Sequence, residues 1–506
     1  MNSKICGLVL LLMATLPSVA GAVAPTITPA PVKAGMRDAN VRPARTFTAF
    51  AQSPVTLAIS IRPAGYAIPA DFAGVGFETW AELPDHNGVS GHLFSPTNTQ
   101  LVTLFTNSGI QNLRLGGGTV DGLHAVIPND ADIDSVFGFA SATRIKVIYS
   151  LPLLDGNAAQ DAAIAKYIWK HYRNYLDCFS IGNEPNEPPY KSAPVGAITN
   201  YAEFLTTWRS FAAAVTKAVP EAKFTGPESG GWDWVPEFAH DEHNSGRVVL
   251  ITHHEYVGGK PFINHGQTEM PLATAIDNML SQYWITNKCP EFYERTLAQV
   301  NPAGLPCRMT EANDYLRGVT NASNAFASAL WALDYMHWWA ARGLAGVNFH
   351  NNQWLKTDTF YLDRASGEYQ INPKAYAIRA FNVGSCGREE SLIIGNTNRL
   401  NLTAYAVGNA TDINITIINK EHGSGARAAA VTILPADFPL RSAGVMFLTA
   451  LSGDAEATNG ITLGGSPISN NMPWRGRWTA LPATTKHLCE VLVPATSAAI
   501  VKLSKK

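Results

Sequence analysis

The stretch CFSIGNEPN, residues 178–186, decides how the rest of the chain is interpreted. Its apolar part ends in an amide and a carboxylate, Asn183 and Glu184, and Pro185 follows at once. Proline lacks the N–H that a sheet ladder needs, so the pattern predicts a buried strand that ends on two polar side chains. If Glu184 only capped the next helix, no partner would be expected. If it is half of a catalytic pair, a second carboxylate should end another buried strand.

Similar short apolar segments recur along the chain, separated by segments in which apolar residues have helical spacing. They are FAGVGFE (72–78), IQNLRLGGG (110–118), RIKVIYSLP (144–152), KFTGPE (223–228), VVLITHHEY (248–256), PCRMTEAND (306–314) and GVNFHNN (346–352). Alternation of strand and helix indicates a parallel sheet, and eight such units favour a closed (β/α)8 TIM barrel over residues 67–385. The alternative is an open doubly wound sheet, but no GxGxxG fingerprint follows the first strands.

Beyond residue 385 the apolar period changes from helical spacing to two. In INITI, residues 413–417, isoleucines alternate with polar residues, as in a half-buried strand. This predicts a C-terminal β-sandwich over residues 386–506. The segment before the barrel, residues 53–66, has the same texture and is expected to add a strand to that sandwich.

The N-terminus is typical of a signal peptide, residues 1–22, with Lys4, an apolar core and a small-residue cleavage site at Ala20-Gly21-Ala22. The alternative is a membrane anchor, but the apolar run is short for a span. We therefore expect a secreted or periplasmic protein. Residues 23–52, rich in proline and alanine, are interpreted as a linker or arm.

Export permits disulfides, and five cysteines remain after the signal peptide. Two pairs are considered, Cys289 with Cys307 and Cys386 with Cys489. Cys178 is then left as a buried free thiol. Cysteine spacing alone does not fix this connectivity.

Composition narrows the class of partner. The 506 residues carry a net charge of −2 and no run of basic side chains. Nucleic acid is therefore excluded as a partner, because phosphate binding needs clustered lysine and arginine. The same observation argues against a long sulfated polymer as substrate. After signal removal no membrane contact is expected, and the oligomeric state is left open.

In a TIM barrel, reactive groups collect at the carboxyl ends of the strands. Glu184 ends the fourth predicted strand and Glu311 ends the seventh, so the two should face each other across the barrel mouth. Two such carboxylates suit glycoside hydrolysis, and a separation of about 5–5.5 Å makes the second one a nucleophile, with retention of configuration. Asn183 is suited to bind a sugar 2-hydroxyl, and Tyr256 to orient the Glu311 anion. No cofactor is required.

Other side chains at strand ends are weaker candidates. Glu228 and Glu255 are interpreted as supporting or loop carboxylates, and His254 as part of the sugar pocket. His253-His254-Glu255 lacks the HExxH spacing of a zinc site, so no metal is predicted. One group of tryptophans is expected in the core: Trp331, Trp338 and Trp339. A second group, near strand ends, is expected to stack on sugar rings: Trp232, Trp234 and Trp354.

These motifs together resemble the β-glucuronidase and heparanase family, glycoside hydrolase family 79. IGNEPN is similar to its acid/base motif, LRLGGGT to its pocket loop, THHEY to a strand-six stretch, and MTEANDYLRG with NPKAYAIRAFN to its nucleophile region and barrel closure. The resemblance covers about residues 53–385. It implies that Glu184 is the acid/base and Glu311 the nucleophile.

The resemblance also implies further substrate contacts. It assigns an acidic sugar contact to Glu78 and a pocket loop to Gly117 and Gly118, and His350 lies at the end of the last barrel strand. In the family, the loop after the nucleophile holds the uronate carboxylate through a tyrosine and amides near glycines. Here that loop is EANDYLRGV, in which Tyr315 lies one position early and Gly318 is the one glycine, so Arg317 is considered as a compensating guanidinium.

The expected function is therefore a retaining β-glycosidase, with exo-acting β-glucuronidase as the leading candidate. The alternatives are an endo-acting heparanase-like enzyme, a related barrel enzyme on neutral β-glycosides, and a non-catalytic carbohydrate-binding protein on the same scaffold. The presence of both Glu184 and Glu311 argues against the last.

Overall fold

A computed structural model describes residues 54–505, with gaps at 61–64, 86–87, 89–90, 122–125, 194–196, 264–267, 352–356, 436–439 and 483–487. The predicted signal peptide and arm, residues 1–52, lie outside the described residues, as does Trp354. No helix in the described part is long and apolar enough to cross a bilayer.

The strands, in chain order, are β1 (Val55–Ser60), β2 (Ala73–Glu78), β3 (Asn112–Gly116), β4 (Lys146–Leu151), β5 (Leu176–Ile181), β6 (Phe224–Gly230), β7 (Val248–Tyr256), β8 (Phe262–Ile263), β9 (Thr268–Glu269), β10 (Cys307–Asn313), β11 (Gly346–Asn351), β12 (Phe360–Asp363), β13 (Glu368–Ile371), β14 (Arg388–Gly395), β15 (Leu402–Gly408), β16 (Asp412–Asn419), β17 (Ala429–Pro435), β18 (Leu440–Thr449), β19 (Thr462–Leu463), β20 (Thr479–Leu481), β21 (Cys489–Val493) and β22 (Ser497–Lys505).

The α-helices are α1 (Thr99–Ser108), α2 (Asp130–Thr143), α3 (Ala158–Tyr172), α4 (Pro188–Lys191), α5 (Tyr201–Ala218), α6 (Val235–Glu242), α7 (Leu272–Leu280), α8 (Cys289–Arg295), α9 (Leu297–Val300), α10 (Phe326–Ala340) and α11 (Lys374–Gly384). Single turns of 3-10 helix lie at Thr79–Glu82, Gly118–Val120, Asn301–Ala303 and Leu451–Gly453, and a π-helical turn lies at Trp284–Lys288.

Eight parallel strands close a barrel in the order β2-β3-β4-β5-β6-β7-β10-β11, with β11 returning to β2. This confirms the predicted TIM barrel and excludes the open sheet. The strands are apolar because helices cover their outer faces while side chains fill the interior. Helix α10 is itself covered completely, because every one of its residues is buried. The predicted core tryptophans, Trp331, Trp338 and Trp339, all lie on it.

Ten of the other described strands form one curled sheet in the order β19-β18-β22-β16-β15-β14-β1-β17-β21, with β20 beside β18. The N-terminal strand β1 joins this sheet, as expected for residues 53–66, and it pairs antiparallel with β14 and parallel with β17. The sheet curls around its own core, to which Ile413, Ile415 and Ile417 contribute. At β16 the other face of the sheet is also covered, contrary to the half-buried pattern: Thr416 is 1% exposed, and Ile418 joins the barrel core.

A buried polar cluster joins the sheet to the barrel at α10. Asp334 accepts hydrogen bonds from Thr403 at 2.8 Å and Tyr405 at 2.6 Å, and an ion pair from Lys420 at 2.7 Å. Each of these partners lies on or next to the strands β15 and β16. The packing of two apolar faces, with this cluster between them, explains why a helix with no polar side is stable here.

The predicted disulfides are wrong. Cys178, Cys289, Cys307, Cys386 and Cys489 are all free thiols. Cys489 is buried in the sheet core whereas Cys386 is exposed, so their side chains lie in different environments. Cys178 is a buried free thiol, as expected.

Candidate active site

The two predicted catalytic carboxylates meet at the barrel mouth. Glu184 follows β5 in a left-handed conformation, φ +51°, and its N–H donates to the Glu228 carbonyl at 2.8 Å. Glu311 lies in β10 just after Met309, where the register with β7 shifts. An oxygen of Glu184 and an oxygen of Glu311 lie within 4.8 Å of each other and of a nitrogen of His254. A strand residue, Glu311, and a residue of the short segment directly after β5, Glu184, thus supply the two carboxylates.

Glu311 is held as an anion. Arg114 donates to its Oε2 at 3.0 Å and Tyr256 donates to its Oε1. His350 and His254 place nitrogens at 3.6 and 3.7 Å from Oε2. Burial alone would raise the pKa of Glu311, but the two histidines, Arg114 and the Tyr256 hydrogen bond outweigh it and lower the pKa to about 2.

Glu184 has a different environment. Its side chain is 31% exposed, whereas that of Glu311 is 9% exposed. Its Oε1 lies 2.9 Å from Nδ1 of His254. The loop that carries it is fastened to the end of β6, because the Asn186 amide donates to the Gly230 carbonyl and accepts from the Gly230 N–H, both at 2.9 Å. One carboxylate thus faces solvent and the other is enclosed by positive charge.

Sequence reasoning missed Arg114. It is fully buried in β3, and Nη2 donates to Asn183 at 2.7 Å and to Glu228 at 2.9 Å. Gly116 makes room for it, since a Cβ there would lie 2.5 Å from the guanidinium. An arginine inside an apolar strand, LRLGGG, is a usable signal, because a buried guanidinium requires buried acceptors. Asn183 is thereby oriented by Arg114 rather than by its own loop.

The predicted pocket loop closes around Glu78. Thr119 donates its N–H and its hydroxyl to Oε2 of Glu78, both at 2.8 Å, and His350 Nε2 lies 3.3 Å from Oε1. Burial raises the pKa of Glu78, but His350 and Thr119 more than offset it, so the pKa is lowered. Gly117 has φ +78° and no room for a side chain beside Glu78, whereas Gly118 faces open space.

The loop after Glu311 differs from its expected role in sugar binding. Tyr315 is buried, its ring packs against Trp284, and its hydroxyl accepts from Asn278 on α7. Arg317 is exposed, with φ +67°. The chain folds this way because the segment between β7 and β10 supplies α7 and the π-helical turn, which provide an apolar site for the tyrosine ring.

The amides of that loop already have acceptors. The N–H of Tyr315 donates to the Asp314 side chain at 2.7 Å, that of Leu316 to the Gly259 carbonyl at 3.0 Å, and that of Gly318 to the Tyr315 carbonyl at 3.1 Å. A sugar carboxylate could recruit these N–H groups only by displacing internal hydrogen bonds.

Of the tryptophans expected to stack on sugars, two are described. Trp232 is 36% exposed, and the Arg295 guanidinium lies 4.5 Å from its ring centroid. Trp234 stacks on Phe204 with centroids 5.3 Å apart and is partly buried in the core. Trp232 therefore presents ring surface near the end of β6, and Trp234 mainly packs.

The cluster of Glu184, His254 and Glu311 also has donor atoms close enough to face a cation. However, Arg114 and Tyr256 already bind both oxygens of Glu311. Burial lowers the pKa of His254, but Glu311, Glu184 and Glu228 together raise it to about 9. The imidazole lies between carboxylates at 2.9 Å and 3.1 Å, an arrangement suited to moving protons.

No protein-family model and no curated protein matches the chain. Solved structures do. A 4-O-α-L-rhamnosyl-β-D-glucuronidase from Fusarium oxysporum aligns with TM-score 0.67 and 16% identity, over 88% of this chain and 99% of that one. A monomeric β-xylosidase from Caulobacter crescentus aligns with TM-score 0.58 and 14% identity, over 89% of this chain and 99% of that one. A GH51 arabinofuranosidase from Xanthomonas axonopodis pv. citri aligns with TM-score 0.64 and 13% identity, over 89% of this chain and 99% of that one. The chain thus shares its two-domain fold with glycoside hydrolases.

Proposed function

We propose that the chain is a retaining glycoside hydrolase in which Glu311 is the nucleophile and Glu184 the acid/base. The observation that carries the proposal is the pair itself: their oxygens lie within 4.8 Å of each other. A retaining enzyme needs its carboxyl groups about 5–5.5 Å apart, whereas an inverting enzyme must leave room for a water molecule between them. The glycosidases that share the fold support the same reaction class.

The different environments of the pair match the two roles. Glu311 is ionised at neutral pH and firmly oriented by Arg114 and Tyr256, as a nucleophile must be. It attacks the anomeric carbon while protonated Glu184, which is open to solvent, gives its proton to the leaving oxygen. Glu184 then takes a proton from water, which hydrolyses the ester on Glu311. Asn183, held by Arg114, is suited to bind the sugar 2-hydroxyl as charge develops.

For the substrate, we propose a terminal β-glucuronide, cleaved from the chain end. The resemblance to family 79 and the name of the Fusarium enzyme, a rhamnosyl-glucuronidase, support this choice. The glycosidase is further proposed to be exported, on the basis of its N-terminal segment. An endo-acting, heparanase-like enzyme is the less favoured form, because the sequence has no basic runs.

A neutral β-glycoside is the second candidate, favoured by charge and by the loop after Glu311. Among the described residues, four carboxylates and three basic side chains contact one another around the catalytic pair: Glu78, Glu184, Glu228, Glu311, Arg114, His254 and His350. All three bases already face these carboxylates. A uronate would therefore bring a further negative charge to a cluster whose described bases already face carboxylates, and the loop amides near Tyr315 have internal acceptors.

A panel of aryl β-glycosides tests the proposal: glucuronide, glucoside, galactoside and xyloside. Cleavage of the glucuronide alone supports the leading substrate, and cleavage of a neutral sugar alone supports the second candidate. Retention is checked by following the anomeric configuration of the first product by NMR. If the folded protein cleaves none of the four but still binds a saccharide, the carbohydrate-binding alternative takes the place of the enzyme.

A further inference from the structure

One buried carboxylate of the cluster has no role in the mechanism above. Glu228 lies in β6, two residues before its end, in a left-handed conformation, φ +59°, and none of its side chain is exposed to solvent. Its Oε2 contacts three groups: Arg114 Nη2 at 2.9 Å, Thr310 Oγ1 at 2.9 Å and His254 Nε2 at 3.1 Å. It therefore cannot touch a sugar, and any effect on catalysis must pass through one of these partners.

Glu228 is ionised. Burial raises its pKa, but Arg114, His254 and the hydrogen bonds outweigh burial and lower the pKa. An ionised carboxylate only accepts hydrogen bonds, so the imidazole nitrogen that faces it must carry a proton. The other titratable groups near Glu228 exchange no proton with it at neutral pH, because His253 is neutral with a pKa of about 3 and burial keeps Cys178 a thiol.

The opposite nitrogen of the same ring faces the acid/base. His254 Nδ1 lies 2.9 Å from Glu184 Oε1 and 3.7 Å from Glu311 Oε2. Three residues thus form a chain, Glu228–His254–Glu184, in which a buried anion lies at one end and the solvent-exposed carboxyl at the other.

We propose that Glu228 is a positioning residue that holds the Nε2 proton of His254, so that Nδ1 shares the catalytic proton with Glu184. This inference rests on the proposed function for Glu184. It assigns Glu228 a place in the reaction although it never contacts the substrate.

The proton steps balance within this chain. Before the first step, the Nδ1–H bond of the imidazolium breaks as an O–H bond forms on Glu184, which leaves His254 neutral with its hydrogen on Nε2. Glu184 then passes the proton to the glycosidic oxygen as that C–O bond breaks and Glu311 bonds to the sugar. In the second step Glu184 takes a proton from the attacking water, and Nδ1 takes it back. Glu228 gains and loses no proton.

The wild-type protein provides a test that needs no variant. With 15N-labelled histidine in the full chain, NMR reports which ring nitrogen of His254 keeps its proton above the pKa of about 9. We expect the Nε2–H form, with Nδ1 as the atom that titrates. Detection of the Nδ1–H form at high pH would overturn the proposal, whatever activity the enzyme has.

Variants separate the charge of Glu228 from its size. In Glu228→Gln the side chain is neutral and its amide can donate to Nε2, so we expect the pKa of His254 to fall by about 1–2 pH units. In Glu228→Asp the negative charge is kept, so the pKa of His254 should stay close to that of the wild type. The matched control is Glu82→Gln. Glu82 is equally buried and receives the Tyr149 hydroxyl, but burial raises its pKa to about 8, so glutamine imitates its protonated form. It should leave His254 unchanged.

Activity adds a second readout. Glu228→Gln should lose about tenfold or more on poor leaving groups at pH 8 and little on activated aryl glycosides, with rescue by aspartate. An unchanged pKa of His254 in folded Glu228→Gln would refute the role. Absence of any glycosidase activity in the wild type would instead remove the proposed function, while the NMR result would still decide what Glu228 does. If Glu228→Gln fails to fold, the wild-type tautomer decides.

Discussion

Tyr256 donates its hydroxyl to Oε1 of Glu311, the oxygen that Arg114 leaves open by binding Oε2. Two donors on two oxygens fix both the charge and the orientation of this carboxylate before any substrate arrives. Such preorganisation is where enzymes obtain much of their stabilisation of the transition state.

Removal of the tyrosine hydroxyl should therefore impair catalysis. We expect Tyr256→Phe to lower kcat by about tenfold to a hundredfold. Because the hydroxyl lowers the pKa of Glu311, the acidic limb of the kcat/KM profile should move to higher pH. The control is Tyr149→Phe, whose hydroxyl serves Glu82 instead. Equal losses in both variants would mean a general effect on folding.

Leaving-group dependence separates the roles of the two glutamates. Glu184→Gln should lose about a hundredfold or more on alkyl glycosides but keep substantial formation of the glycosyl-enzyme on dinitrophenyl glycosides, which need no acid. Azide should raise its turnover, since an anion needs no general base. Glu311→Gln should be inactive on both substrates. The assignment is wrong if both variants show equal, mild losses.

Arg317 tests the uronate hypothesis. If its guanidinium binds the sugar carboxylate, Arg317→Ala should reduce kcat/KM for an aryl glucuronide by about fivefold and leave the glucoside unchanged, the modest size reflecting an exposed ion pair. An unchanged ratio removes Arg317 from the carboxylate site. Tyr315→Phe is the companion variant: its hydroxyl is bound by Asn278, so it should not alter the ratio.

Buried histidine should make stability fall at acidic pH. His253 is fully buried, neither ring nitrogen has a hydrogen-bond partner among the described residues, and burial lowers its pKa to about 3. Below about pH 6.5 this histidine binds a proton in the unfolded chain but stays neutral in the folded chain. The free energy of unfolding therefore falls by about 1.4 kcal/mol per pH unit.

Urea unfolding at pH 7 and pH 5 measures this effect. Between the two, His253→Leu should lose about 2 kcal/mol less stability than the wild type. His240→Gln, at a side chain that is 84% exposed, should behave as the wild type. Identical pH slopes for all three proteins would show that His253 does not control acid stability. Comparison with the wild type cancels the opposing contribution of buried carboxyls such as Glu82.

The junction between barrel and sheet should be sensitive to the loss of one charge. Asp334→Asn leaves Lys420 buried without its counter-ion and should cost about 3–5 kcal/mol in the free energy of unfolding, measured in urea. Replacement of both by apolar residues should recover much of this loss. By contrast, Lys502→Met breaks a partly exposed pair with Asp412 and should cost about 1 kcal/mol or less. Similar costs at both sites would contradict the importance of burial.

The barrel and its two carboxylates could be predicted because short apolar strands and their polar ends are local features of sequence. Arg114 could not, and Glu228 could be named only as a supporting or loop carboxylate, since periodicity does not show which buried side chains contact one another inside the barrel. Tyr315 illustrates a different failure: the neighbouring helix α7, distant in sequence, sets its direction. The polar face of β16 was expected to meet water, but packing on the barrel buries Thr416.

Strand β1 gives the molecule a particular order of assembly. Strand β1 is translated before the barrel, whereas its partners β14 and β17 are translated after the barrel. Both edges of β1 therefore stay unpaired while the barrel is synthesised, and unpaired strand edges favour association between chains. The sheet can form only once the chain is nearly complete. A gene shortened to end after the barrel would leave β1 without its partners and α10 without its cover, so we expect it to yield aggregates rather than a smaller enzyme.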